Sequence, residues 1–192
     1  SGMSDPTRGG RVLETVCRVA IVDDHPIVRA GLAALIDAES DLAVCGQAGT
    51  VPEALEVLES EAPDLVLVDL SLEGASGLDL IKALAERPVR ILVVSMRDEA
   101  TWAERAIGAG ALGYVHKSDA TRDIVVAIRN VMAGRPYVSA ASSEKLLHRM
   151  VGQAGRKAPA SPVDALSDRE LEILERIGRG RTTQQISEEL DL

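Results

Sequence analysis

Short apolar runs separated by turn residues set the plan of the chain. The most sharply drawn is Asp64-Leu65-Val66-Leu67-Val68-Asp69, four consecutive aliphatics between Ala62-Pro63 and the glycine-containing Ser71-Leu72-Glu73-Gly74. Such a run reads as a strand buried on both faces. Residues 18–22, 42–46, 89–94 and, more briefly, 112–116 repeat the pattern. Between them the apolar period lengthens to that of a helix, predicting helices over 26–38, 52–61, 77–86, 99–109 and 121–133. Pro26 fits a first helical turn, and Glu53, Glu56 and Glu59 fall on a solvated face. Five strand-helix units predict an α/β fold, a doubly wound five-stranded parallel sheet.

The pattern changes on either side of this block. Residues 1–16 are polar and glycine-containing and read as a loose tail, with Ser1-Gly2-Met3 resembling the scar of a cleaved tag. From 134 to 165 the chain reads as a linker: a helix over 144–151 with Leu146, Leu147, Met150 and Val151 as its stripe, then a flexible Gly/Ala/Pro/Lys stretch. At Leu166-Ser167-Asp168-Arg169-Glu170 a new helix opens, with Ser167 as N-cap and Glu170 closing a capping box. Leu171, Leu174 and Ile177 supply its face, Gly178 and Gly180 its stop, and Thr182 or Thr183 caps a further helix carrying Ile186 and Leu190.

Composition narrows the class. Hydrophobic residues make up 46% of the 192, yet aromatics are 2% with no Phe, so the core must be packed from Leu, Val, Ile and Ala. No apolar run is long enough to cross a membrane, which predicts a cytoplasmic protein. Cys17 and Cys45 are too few for a disulfide framework and read as small core residues. A net charge of −9 argues against unaided binding to nucleic acid and suits a site that collects cations.

Right-handed crossovers would bring every strand's carboxyl end to one edge, where ligands bind in open parallel sheets. A lone Asp after a strand more often starts a turn. Here, however, Asp69 shares that edge with Asp23-Asp24, Ser95 and Lys117. Three carboxylates repel one another unless a hard cation sits among them, which predicts Mg²⁺. An Asp beside Mg²⁺, a Lys ammonium and a Ser hydroxyl is equipped to attack phosphorus and form an aspartyl phosphate.

On these residues, 17–133 resembles the receiver domain of a two-component response regulator. The resemblance implies a flavodoxin-like fold, Mg²⁺ bound by Asp23 and Asp24, and phosphorylation of Asp69 by a sensor histidine kinase. It further implies a metal-ligating carbonyl at Ser71, phosphoryl binding by Ser95 and Lys117, and a switch through Ser95 and Tyr114. Asp24 is expected to ligate directly and Asp23 through water. Phosphorylation is expected to drive homodimerisation through the fourth helix, last strand and fifth helix, where Trp102, Arg105 and Arg122 lie. Residues 166–192, with Leu-Ser-x-Arg-Glu-x-x-x-Leu, Gly180, Gln185-Ile186 and Glu189-Leu190, resemble the first half of the LuxR-type helix-turn-helix domain of NarL/FixJ regulators. The resemblance implies that this part is a partial all-α domain lacking the recognition helix, and its seven acids against four arginines give −3. Promoter DNA is thus an expected partner of the full-length parent but not of this chain.

The chain departs from the family in two places. Leu72-Glu73 replaces the usual Met-Pro after the phosphorylated Asp, which predicts a less constrained loop with a carboxylate near the site. Ser118 replaces the common Pro after Lys117, leaving that peptide's geometry open. Gly108-Ala109-Gly110-Ala111-Leu112-Gly113 matches G-x-G-x-x-G but follows a helix, the reverse of what dinucleotide binding needs. His25 reads as a helix-start residue, His116 and His148 have no partner that spacing identifies, and Trp102 reads as half-exposed. Two other classes stay open. A haloacid-dehalogenase-like phosphohydrolase would need Asp-x-Asp after the first strand, where Asp23-Asp24-His25 stands. A phosphorylation-independent interaction module would be expected to lack one of the acidic pair, Asp69 or Lys117.

Overall fold

The computed structural model describes residues 15–152 and 167–168, with backbone only for 149–152. The expected tail before Thr15, the flexible part of the linker and the second predicted helix of the 166–192 segment lie outside the described residues. Ser167 is non-helical and Asp168 helical, as an N-cap at Ser167 requires.

The chain alternates β1 (Cys17–Val22), α1 (Pro26–Asp37), β2 (Leu42–Ala48), α2 (Val51–Glu61) and β3 (Leu65–Val68). A small hairpin follows, β4 (Ser71–Leu72) with β5 (Ala75–Ser76), then α3 (Gly77–Leu84), β6 (Arg90–Ser95), α4 (Glu99–Ala109) and β7 (Gly113–His116). A 3₁₀ turn (Lys117–Asp119), α5 (Ala120–Met132) and α6 (Ala140–Gly152) complete it. β1, β2, β3, β6 and β7 form one parallel sheet in the order β2-β1-β3-β6-β7. Chain order reverses direction across the sheet at β1 and β3, where such folds open a crevice beyond the carboxyl ends.

Alternation along the strands builds two cores. Val19, Ile21, Leu65, Leu67, Leu92 and Val94 face α1 and α5 with Leu32, Ile36, Ile124 and Ile128. Ala20, Val22, Val66, Val68, Ile91 and Val93 face α2, α3 and α4 with Leu58, Ile81 and Ala106. Each fully buried aliphatic contributes about 1.5–3 kcal/mol. Truncating Leu67, 1% exposed, to Ala would cost roughly 2–5 kcal/mol.

Several expectations are corrected. Trp102 is not half-exposed: it is fully buried, and its polar neighbours on α4 conceal that in the sequence. The loop after Asp69 forms a hairpin that the sequence did not predict: β4 and β5 pair Ser71 with Ser76 and Leu72 with Ala75 around Gly74 at φ +70°, and Leu72 is buried. Cys17 and Cys45 are only half-buried. The linker helix begins at Ala140 rather than 144, with Ser139 Oγ accepting the Ser142 N–H at 3.2 Å. The Lys117-Ser118 peptide is trans. Two glycines of the glycine-rich motif serve packing. Gly110 ends α4 at φ +128°, where a Cβ would sit 2.7 Å from that of Ala85. A Cβ on Gly113 would crowd Leu92 and the Tyr137 carbonyl, which accepts the Tyr114 N–H.

Candidate functional site

Backbone pairing carries the acids to the carboxyl edge. The Asp23 N–H donates to the Ala48 carbonyl at 3.0 Å, and the Asp69 N–H to that of Val22 at 2.9 Å, so each residue extends its strand by one step. Ser95 is the last residue of β6, and Lys117 follows β7. Asp23 and Asp69 are each 2% exposed and Ser95 0%, values carboxylates reach only with partners.

The partner is Lys117. Its Nζ lies 2.8 Å from Asp23 Oδ2 and 2.9 Å from Asp69 Oδ2. The Ser71 N–H donates to Asp69 Oδ1 at 3.1 Å, and the His25 N–H to Asp23 Oδ1 at 2.8 Å. Burial pushes the Asp69 carboxyl above the usual carboxylate range, against the charge and hydrogen bond of Lys117. Burial also works against the Lys117 ammonium, but the hydrogen bond to Asp23 and the charge of Asp69 outweigh it and hold its pKa above that of an ordinary lysine.

One ammonium does not balance three carboxylates. Asp23, Asp24, Asp69 and His25 each offer a ligand atom, all within 4.8 Å of one another. Asp23 Oδ2 and Asp24 Oδ1 are shut off from solvent, and each has one nitrogen 2.8 Å away, Lys117 Nζ and His25 Nδ1 respectively, with no further donor among the described residues. An oxygen-rich, net-negative pocket with acceptors to spare fits a hard divalent cation. His25 occupies the position before α1, as expected of a helix-start residue, and its Nδ1 faces both acids.

The switch candidates meet at one residue. Ser95 Oγ accepts the Arg97 N–H at 3.0 Å, and the Tyr114 hydroxyl donates to the Arg97 carbonyl at 2.7 Å with the ring buried. His116 donates from Nε2 to the Met96 carbonyl at 2.9 Å, because a carbonyl can only accept, and its Nδ1 accepts the Ser118 N–H. Of the expected docking residues, only Arg122 is well exposed, its side chain at 75%. Trp102 is internal, and Arg105 Nη1 pairs with Asp168 at 2.8 Å with its side chain 15% exposed.

Three residues at the site carry no sequence signal of their own. Gly77 lies where a Cβ would meet the Asp69 carbonyl oxygen at 2.3 Å, so only glycine lets α3 start against the acid's backbone. Arg29 of α1 donates to the Asp23 carbonyl. Arg97 Nε donates to Ser71 Oγ at 2.9 Å.

Sheet order, crevice and buried Lys-carboxylate cluster together define a receiver-type domain. Residues 19–129 match the response regulator receiver domain family, and 164–192 match the luxR family of bacterial regulatory proteins. Response regulator UvrY of Escherichia coli K12 is 32% identical over 176 residues, 91% of this chain and 79% of that protein. Transcriptional regulatory protein LiaR of Bacillus subtilis 168 is 35% identical over 177 residues, 90% and 82% respectively. A LuxR-family two-component response regulator from Aurantimonas sp. SI85-9A1 has a similar crystal structure, with TM-score 0.64 and 34% identity over 71% of this chain and 99% of that one. The chain belongs to the two-component response regulators of the NarL/FixJ type, signalling proteins with a receiver and a LuxR-type DNA-binding domain. No helix among the described residues is long and apolar enough to cross a membrane.

Proposed function

We propose that Asp69 accepts a phosphoryl group from a sensor histidine kinase in a Mg²⁺-dependent transfer, and that the modified receiver (17–133) acts through the linker (134–165) on the LuxR-type segment (166–192) to control transcription. The observation that carries this reading is Lys117 Nζ held between Asp23 and Asp69 at 2.8 and 2.9 Å, beside Asp24, at the crevice of the sheet. The Asp69 carboxylate attacks phosphorus, the P–N bond of the donor phosphohistidine breaks, and its electron pair stays on the imidazole. Lys117 and Ser95 take phosphoryl oxygens. Mg²⁺, when bound, offsets the charge on those oxygens.

Asp24, Asp69 and the Ser71 carbonyl are the direct ligands in this reading, with Asp23 acting through water. The Asp23 side chain is 3% exposed and faces the His25 N–H and Lys117 Nζ, and the Asp24 side chain is 18% exposed with only His25 Nδ1 beside it among the described residues. Phosphorylation draws Ser95 Oγ away from the Arg97 N–H and frees Tyr114 to move. That alters the surface of α4, β7 and α5 and with it self-association. Arg122 belongs to that surface and Trp102 does not.

Incubation with Mg²⁺ and acetyl phosphate should give a species heavier by roughly 80 Da, absent in Asp69→Ala. Modification persisting in that variant overturns the assignment. Sedimentation of the modified and unmodified chain should give different mass distributions, and identical ones would remove the dimer switch.

A further inference from the structure

His25 starts α1 with its backbone alone, and its side chain is turned to another task. The N–H donates to Asp23 Oδ1 at 2.8 Å and the carbonyl accepts the Arg29 N–H at 3.1 Å, so the main chain at this residue is fixed from both sides. Pro26 then holds the first helical turn. The side chain makes no cap hydrogen bond to the helix. Instead the ring points back at the acids, with Nδ1 2.8 Å from Asp24 Oδ1 and 3.1 Å from Asp23 Oδ1, while the side chain stays 63% exposed and open to solvent. One nitrogen thus stands among the oxygens of Asp23, Asp24 and Asp69, a ligand atom from each of the four residues lying within 4.8 Å of the others. Mg²⁺ makes little use of such a nitrogen, because a hard ion prefers carboxylate, carbonyl and water oxygen. A borderline transition ion of the Co²⁺, Ni²⁺ or Zn²⁺ kind gains from imidazole. Asp24 and His25 are consecutive, so both donors come from one fixed stretch of backbone and little ordering is left for the ion to impose.

We propose that His25 is a metal-selecting ligand, which gives the acid cluster a second binding mode: a borderline divalent transition ion held by Asp24 oxygen and His25 nitrogen, in competition with the oxygen-only Mg²⁺ mode. The inference rests on the Mg²⁺ site proposed above and deepens it. Facing carboxylates, Nδ1 serves as the donor; facing a cation it presents its lone pair, with the ring hydrogen on Nε2 and the two tautomers exchanging through water. Because Asp24 serves both ions, a bound transition ion excludes Mg²⁺. Phosphoryl transfer to Asp69 then depends on which ion holds the cluster.

The test uses the full chain and the metals alone, in calorimetric titrations with Mg²⁺ and, separately, with Co²⁺. His25→Asn keeps the backbone bonds and sets an amide where Nδ1 stands, so it should weaken Co²⁺ binding roughly tenfold while Mg²⁺ affinity stays within about twofold. Asp24→Asn should weaken both ions. His116→Ala and His148→Ala, which remove the two other histidines of the chain, should leave Co²⁺ affinity within about twofold. Excess Mg²⁺ should shift the Co²⁺ titration to weaker apparent affinity. In NMR spectra the Co²⁺-loaded chain should show one set of paramagnetically shifted imidazole resonances, and His25→Asn should lack it. Co²⁺ affinity unchanged in His25→Asn, or equal losses for the two ions, overturns the proposal and leaves His25 a helix-start residue. Co²⁺ binding indifferent to Mg²⁺ overturns it as well, because Asp24 is then not shared. Co²⁺ bound through His25 by a chain that takes up no Mg²⁺ overturns instead the Mg²⁺ reading, and a chain that binds neither ion overturns both.

Discussion

Both ends of the sheet carry charged residues close enough to pair, and they pair in different ways. At the amino ends, Arg18 Nη2 meets Glu61 Oε2 at 2.9 Å, while Arg129 meets Glu39 and Asp41 at 2.7 and 2.9 Å. Arg90 donates to the carbonyls of Val131 and Met132, where the C-terminal end of α5 favours a cation. The side chains in those two ion-pair groups are 39–47% exposed. At the carboxyl ends a single ammonium sits between Asp23 and Asp69, with side-chain exposures of 10, 3 and 2%. Exposed pairs trade one set of water contacts for another and gain little. A buried excess of negative charge works against folding, and a protein retains it where the charge itself is used.

The sharpest way to break this contrast is to remove the ammonium that contacts both buried acids at the carboxyl edge. Lys117→Ala leaves Asp23 and Asp69 buried without their counter-charge, and a loss of about 3–5 kcal/mol is expected in denaturant unfolding without metal. The loss should be largest at neutral pH and fade in acid, because Asp69, whose folded pKa already lies above its ordinary value, escapes by taking a proton. A loss below 1 kcal/mol, typical of an exposed pair, would place the two edges in the same class.

Mg²⁺ should act on one edge alone. A cation that binds the folded chain raises its stability by about 2.7 kcal/mol at a hundredfold excess over Kd. Asp24→Asn should abolish most of that gain and Asp23→Asn less, while Asp64→Asn at the amino edge should keep it. Thermal unfolding with and without Mg²⁺ checks all three, and equal losses in Asp23→Asn and Asp24→Asn would remove the distinction between direct and water-mediated ligands.

Much of this asymmetry is legible in the sequence, because β3 and β6 are uninterrupted aliphatic runs whose ends are marked by Asp69 and Ser95. A period of 3.6 likewise exposes α5 through Ile124, Ile128 and Val131. The hairpin of β4 and β5 escapes because a two-residue strand has no period to detect. Trp102 escapes for another reason: Arg97 and Arg105, with guanidinium carbons 4.4 and 6.0 Å from its ring, make a buried aromatic look like part of a charged surface. The reach of Arg97 to Ser71 across 26 residues depends on tertiary placement, which no local pattern encodes.

The smallest expected effects differ in sign, and that makes them the finest test of the comparison. The hydrogen bond from Arg129 holds the Asp41 carboxyl below its ordinary range. Its contribution is therefore present above the unfolded pKa and lost as pH falls through the lowered folded value. Burial holds Asp69 above its ordinary range, so its contribution is present below the unfolded pKa and lost as pH rises through the folded value. At neutral pH and without Mg²⁺, Asp41→Asn should lower stability slightly, and Asp69→Asn should raise it by relieving the crowding with Asp23 and Asp24. Both differences should shrink in acid, where the carboxyl each variant replaces is protonated. High salt, which shortens the screening length to about 3 Å at 1 M, should erase the Asp41 effect and spare most of the buried Asp69 effect. Urea unfolding of the two variants across pH and salt measures this directly, and a stability loss in Asp69→Asn would mean that Lys117 fully compensates the carboxylate it holds.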